Sequence, residues 1–367
     1  MNKTSIEWTH RPETGGAQGG FTWNPIRARN KETGKVGTFC THASPGCSNC
    51  YAEAIGKRFG TGLAFNVPNL EKVEFFIDEK ILEEPLKRKK PATIFVGDMF
   101  DLFHEAIALQ GEEDDDPLTG PSVARVFDVI MRCPQHTFQL LTKRAANMKL
   151  FMECADNAEY RSDYPGVPFP PPNVWLGVSV ESQKYADERI PLLLQTPAAV
   201  RFLSVEPMLE AVSIHLPEKF CNHPSMDGVR GTVPTLWQCS LCDGYVLHED
   251  HPTKPGFVRE VPGIDWVICG GESGPGARPF NLAWAESLQA QCKAAGVPFF
   301  MKQVGSKPLI PKAMELSARG EFLTETTCGD PARLIVTSKG GDMSEWPESL
   351  RVREFPAERS VDAPILR

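Results

Sequence analysis

The sequence predicts an α/β fold built on a buried parallel sheet, and three observations carry that expectation. Short continuous apolar runs recur along the chain, stretches compatible with helix lie between them, and polar or Gly-containing residues collect directly after the runs. Strands buried on both faces read as continuous apolar segments rather than as an alternating pattern. Regular strand–helix alternation is the signature of α/β proteins.

Taken in order, residues up to about 35 are rich in Gly, Asn, Arg and Thr and read as loop. Strands are expected at 93–96, 138–141, 174–178, 200–203, 266–269 and 298–301, and helices at 122–131, 184–194 and 282–295. In the last helix Leu282, Ala285, Leu288, Cys292 and Ala295 step by three or four residues and share one face. Residues 216–262 interrupt the pattern with a Pro-, His- and Gly-rich stretch that reads as a small Cys/His-rich insertion. From about 306 Pro, Glu and Arg become frequent, so 1–305 is taken as the main domain and 306–367 as a loosely packed extension.

The composition supports a core of this size: 41% of the 367 residues are hydrophobic and 23% charged. A net charge of −8 argues against a strongly basic nucleic-acid coat while leaving room for a local basic patch. No apolar run approaches the roughly 20 residues that span a bilayer. The first residues lack the apolar core of a secretion signal, so a cytoplasmic protein with no membrane association is expected. The 11 cysteines are odd in number and unevenly spread, which argues against a disulfide framework and for metal-binding groups.

Polar strand ends follow the expected strands at Gly97-Asp98, Thr142-Lys143-Arg144, Ser179-Val180-Glu181, Ser204-Val205-Glu206 and Gly270-Gly271-Glu272. In a barrel of parallel strands the active site forms at that C-terminal edge. The first cysteine group, Cys40, Cys47 and Cys50, has the spacing C-x6-C-x2-C on a Gly/Pro-containing loop, with a helix expected from about Tyr51. Three thiolates can hold a [4Fe–4S] cluster and leave one iron without a protein ligand. Zinc is the competitor: it wants four protein ligands, and His42 could be the fourth. Plain buried thiols are the third reading.

Several blocks then become familiar. They include Ser5-Ile6-Glu7-Trp8-Thr9, Thr22-Trp23-Asn24-Pro25, Ser44-Pro45-Gly46-Cys47, Cys50-Tyr51-Ala52-Glu53, Asp101-Leu102-Phe103-His104 and Phe202-Leu203-Ser204-Val205-Glu206-Pro207. The chain resembles a phage-associated three-cysteine family of unknown function, which itself resembles divergent radical S-adenosylmethionine (SAM) enzymes. The resemblance implies a partial (βα) barrel related to the TIM barrel, with the three-cysteine loop after its first strand. It also implies reductive cleavage of SAM at a [4Fe–4S] cluster, giving a 5′-deoxyadenosyl radical that abstracts hydrogen from substrate. One departure stands out: most relatives use C-x3-C-x2-C, with an aromatic residue before the last cysteine, whereas Tyr51 follows Cys50 here.

On that resemblance Gly97 and Asp98 are the nearer equivalent, by position, of the motif that holds the SAM amino group, with Gly270, Gly271 and Glu272 a later variant of it. Ser179 and Glu181 suit ribose hydroxyls, and Glu206 joins them at the rim. Arg278 and Lys302 could neutralise a carboxylate or phosphate, or be surface charges. Lys143 and Arg144, with Lys57-Arg58 and the 87–90 run, could face a phosphate backbone, and Trp8 and Trp23 could stack on bases if exposed. The plainer alternatives are a solvated helix end and packed tryptophans. In the insertion, Cys221, Cys239, Cys242 and His223 suggest a zinc ribbon whose fourth ligand is open, with a second iron–sulfur cluster or free thiols as alternatives. The expected function is thus a radical-SAM-like enzyme that modifies or repairs a substrate, with nucleic acid or a modified nucleobase suggested by the phage resemblance. The rival is a non-catalytic, metal-stabilised nucleic-acid-binding phage protein.

Overall fold

The computed structural model describes residues 1–10, 20–108, 123–156, 167–214, 229–230, 236–238, 245–247, 263–310, 332–333 and 339–356. Eight strands form one sheet: β1 (Asn2–Lys3), β2 (Phe21–Trp23), β3 (Thr93–Val96), β4 (Thr137–Thr142), β5 (Val174–Ser179), β6 (Val200–Val205), β7 (Trp266–Gly270) and β8 (Phe299–Gln303). They lie side by side in chain order. β1 runs antiparallel to β2, and every later neighbouring pair is parallel. Every residue of β3, β5, β6 and β7 is buried, which is why their sequences are largely apolar rather than alternating, with buried polar exceptions such as Arg201 and Ser204 of β6.

β2 corrects the reading of the first 35 residues as loop. It is three residues long, flanked by Gly20 and by Asn24-Pro25, and pairing with β3 rather than local pattern makes it a strand. The strand Ile26–Asn30 follows at once and pairs with Val36–Gly37 and Val73–Ile77 in a small antiparallel sheet. That sheet leads into and out of the three-cysteine segment.

The main sheet is curved. Flat, it would put β3 and β7 roughly 19 Å apart, four strand spacings. Yet the Trp8 ring reaches both, 4.6 Å from Phe95 of β3 and 6.3 Å from Trp266 of β7. Trp8, Phe95, Trp175, Val200, Phe202, Trp266, Ile268 and Phe300 fill the concave face as one apolar cluster. Gly177 of β5 makes room there, since a Cβ would come within 2.4 Å of the Phe202 ring on β6. Among the described residues no strand pairs β8 back to β1, so the sheet is open at that seam.

Helices connect the strands: α1 (Tyr51–Phe59), α2 (Val123–Met131), α3 (Ala145–Ala155), α4 (Gln183–Gln195) and α5 (Leu282–Ala294). The larger apolar cluster joins helix residues such as Phe127 and Leu288 to strand residues such as Leu176 and Leu203. α5 starts where the Asn281 side chain accepts the Ala283 N–H, a cap that contributes about 0.5–2 kcal/mol. It buries Leu282, Ala285, Leu288 and Cys292, the stripe that the spacing predicts.

Two further segments bear on the expectations. Residues 339–356 are not loosely packed: Trp346 and Leu350 are buried, and Met301 N–H donates to Val352 C=O while Glu354 N–H donates to Phe299 C=O. This segment covers the exposed edge of β8, where unpaired backbone groups would otherwise stand. In the insertion, Val229–Arg230, Leu236–Gln238 and Tyr245–Leu247 form a three-stranded antiparallel sheet. Cys221, His223, Cys239 and Cys242 lie outside the described residues. No described helix is long and apolar enough to cross a membrane.

Candidate functional site

A cavity of about 500 Å³ opens at the C-terminal ends of the parallel strands. Strand periodicity builds its wall: two residues beyond the apolar floor at Gly177, Phe202 and Phe300 stand Ser179, Ser204 and Lys302, on the same face. Cys40, Cys47 and Cys50 form the facing wall with Asp98, Lys143 and Arg144, and Glu206, Gly271 and Glu272 complete the rim. Residues far apart in the sequence are thus brought to one cavity, although Glu181 and Gly270 of the expected set do not line it.

The cysteine segment turns through a short 3-10 helix, Pro45–Cys47, and α1 begins directly after Cys50. All three thiols are free and half-buried. Burial pushes Cys40 up to about 12, against the pull of the Arg144 cation, and burial likewise raises Cys50. Among the described residues no group of three or more His, Cys, Asp and Glu side chains is closed up as a coordination set. The chemistry of the donor set is three uncrosslinked thiols on one loop facing one cavity. His42, the fourth ligand of the zinc alternative, is held by Glu53 at 2.8 Å and does not line the cavity.

Glu181 is not at the rim. It is fully buried beneath the cysteine loop, so the ribose role expected for it has no geometric support. One carboxylate oxygen accepts from Ser44 Oγ at 2.6 Å and pairs with Lys143 Nζ at 3.0 Å. The other accepts from Arg189 Nη1 at 3.0 Å. Burial opposes its charge, but Lys143, Arg189 and the Ser44 hydroxyl outweigh that and hold the carboxyl below its ordinary value. Gly46 lies against the same group, and a Cβ there would sit 2.5 Å from Glu181 Oε1.

A family model for proteins of unknown function, DUF5131, matches residues 3–330. The chain belongs to the DUF5131 family. No curated protein and no solved structure gives a significant match. The DUF5131 match spans the cysteine loop and strands β2 to β8 of the sheet.

The remaining rim residues of this DUF5131 chain fall into pairs. Asp98 accepts from Asn24 Nδ2 at 2.6 Å, and burial raises its carboxyl above the ordinary range. Gly97 beside it has φ +76°, a left-handed value that a side chain would strain. Lys302 Nζ meets Glu206 at 2.6 Å, and Gly270 lies directly against Glu206. Glu272 is gripped by Arg278 at 2.7 and 3.0 Å and by Asn49 Nδ2 at 2.9 Å, while Arg278 also donates to the Pro45 carbonyl at 2.9 Å. The end of β7 is thereby tied to the cysteine loop. Arg278 and Lys302 are thus paired with carboxylates rather than being free surface charges.

The expected nucleic-acid contacts are corrected by their own bonding. Arg144 is buried and spends all five N–H groups inside the protein. Nε meets Glu105 at 2.9 and 3.1 Å, Nη1 meets Asp101 at 3.0 Å and Cys40 Sγ at 3.9 Å, and Nη2 meets Thr41 O and Oγ1 at 3.1 and 2.9 Å. No donor remains for a phosphate. Lys143 is paired with Glu181, and Trp8 and Trp23 are both buried, so neither ring is a stacking platform. Arg189, Glu7 and Lys339 carry no signal in the sequence that marks them as site residues. Arg189 sits inside α4, and Glu7 meets Lys339 at 2.6 Å on the cavity wall across almost the whole chain, so no local pattern marks either contact.

Proposed function

We propose that this chain is an iron–sulfur enzyme of the radical-SAM type, working at the mouth of a partial (βα) barrel. The observation that carries the proposal is the set of three free thiols on one loop lining the cavity at the ends of sequential parallel strands. The barrel reading is supported by that strand order and by the curvature that lets Trp8 touch both β3 and β7. The donor set suits a [4Fe–4S] cluster held by Cys40, Cys47 and Cys50, while His42, the fourth ligand considered for structural zinc, is held by Glu53 off the cavity lining. When bound, the cluster would supply the electron that cleaves SAM to methionine and a 5′-deoxyadenosyl radical.

The chain's own residues would then do the following. Asp98 and Glu206 take the cationic and hydroxyl groups of SAM, and Ser179 and Ser204 offer hydroxyls from adjacent strands. Gly97 and Gly271 present backbone to the cavity, while Gly270 stands behind Glu206 and lets that side chain pack closely. Glu272 and Arg278 hold the cysteine loop against the barrel mouth. Glu181 holds that loop from below. A nucleobase, free or within nucleic acid, is the proposed substrate class, and the insertion would carry structural zinc on Cys221, Cys239, Cys242 and His223. Free thiols at the site suit a reducing compartment such as the cytoplasm. The non-catalytic binding reading loses ground because Lys143, Arg144, Trp8 and Trp23 are all committed inside the fold.

Anaerobic reconstitution tests the proposal. The protein should take up about four irons per chain on the first cysteine group, bind SAM by calorimetry, and form 5′-deoxyadenosine after dithionite reduction. Cys47→Ala should abolish iron uptake while leaving the sheet folded. Stoichiometric zinc at that site, with no iron uptake, would sink the enzyme reading.

A further inference from the structure

Arg144 is a buried cation whose five donors are all assigned, and one of them points at a sulfur. Burying a guanidinium is unfavourable unless anions meet it. Asp101 does so at 3.0 Å and is itself fixed by Thr142 Oγ1 at 2.7 Å and Lys143 N–H at 3.0 Å. Glu105 meets the opposite edge from the short helix Glu105–Ala108. Thr41, one residue after Cys40, is clamped by Nη2 through both its carbonyl and its hydroxyl. His104 also holds that hydroxyl: its Nδ1 accepts from Ala106 N–H, which leaves Nε2–H to donate to Thr41 Oγ1 at 2.9 Å. The geometry is more than packing needs. It fixes a full positive charge 3.9 Å from Cys40 Sγ on the wall of the cavity.

Net charge and hydrogen bonds to the ligating sulfurs are two of the levers that set the reduction potential of an iron–sulfur cluster. The reduced cluster carries one more negative charge than the oxidised one, and a nearby cation stabilises it preferentially. We infer that Arg144, oriented by Asp101, is a positioning and charge-setting residue for the Cys40 end of the cluster, making it easier to reduce. Asp101 pulls in the other direction. This inference rests on the cluster reading of the preceding subsection and adds the residues that tune it.

The test is an anaerobic, dithionite-driven redox titration of the reconstituted full chain, followed by the paramagnetic signal of the reduced cluster, with iron content and thermal melts recorded for each variant. Arg144→Gln should lower the midpoint potential by at least a factor of ten in the one-electron equilibrium, about 59 mV. Asp101→Asn should raise the potential, and Arg144→Lys, which keeps the charge, should return it toward the parental value. Opposite shifts from neighbouring substitutions are something a merely structural role would not produce. An unchanged potential in Arg144→Gln, or shifts of one sign in both neutral variants, would overturn the inference while leaving the cluster reading intact. Should Arg144→Gln fail to retain iron, Asp101→Asn decides: an upward shift supports the inference, and no shift or a downward one overturns it. If the unsubstituted chain takes up no iron, both readings fall together.

Discussion

Neutralising Glu181 should damage the cysteine loop rather than any ligand contact. In Glu181→Gln the side chain keeps its shape, but Lys143 and Arg189 lose their anion and Ser44 loses a charged acceptor. Removing one partner of a buried ion pair costs about 3–5 kcal/mol. Lys143 is one-fifth exposed and regains some water, which places the effect toward the lower end, about 3 kcal/mol. At about 2 °C per kcal/mol for a large domain, the melting temperature should fall by roughly 6 °C at neutral pH. The folded carboxyl lies below its ordinary value of 4.5, so its contribution is whole above that value and is lost as pH falls through the folded one. The gap between parent and variant should therefore narrow in acid. Calorimetric melts at neutral and acid pH, with limited proteolysis of residues 40–50, check this. An unchanged melting temperature at neutral pH, or a gap that widens in acid, would refute the reasoning.

Three other outcomes are expected. Gly46→Ala forces a methyl to 2.5 Å from a carboxylate oxygen already held by Ser44 and Lys143, so stability should drop by about 1–3 kcal/mol and iron uptake should fall with it. Burial, and next the Arg144 charge, lower the His104 imidazole from 6.5 to about 4; its contribution is whole above 6.5 and fades as pH falls toward 4, so His104→Gln should flatten the stability profile across that window in urea titrations. Cys239→Ser should lose the zinc proposed for the insertion, measured by elemental analysis, and expose residues 216–262 to protease without changing iron uptake on reconstitution of the first cysteine group.

The parallel core was legible because burial on both faces leaves a nearly continuous apolar run, as in β3 and β7. The helix at 282–294 was legible because its apolar stripe is a local pattern. β2 was not, since three residues next to Gly20 and Asn24-Pro25 carry no periodicity, and only a partner strand far along the chain makes them a strand. Among site residues, the cysteines and the strand ends announced themselves by spacing and by their position after apolar runs. The role of each charge did not. Arg144 and Glu181 look like rim residues in the sequence, and only the contacts made by Asp101, Glu105 and Thr41, or by Ser44, Lys143 and Arg189, turn them inward.

The ion pair between Glu7 and Lys339 spans 332 positions of sequence. It stands on the cavity wall, beside the tryptophan that plugs the concave face. A ribosome must therefore have delivered the chain as far as Lys339 before this wall can close, and the long loop the pair seals makes closure a late event in folding. Until then the cysteine loop, which precedes Lys339 by most of the chain, stands open, and the iron proposed for it would have its easiest access. Closing this wall is what the pair contributes, and Lys339→Ala should speed iron and sulfide uptake during anaerobic reconstitution.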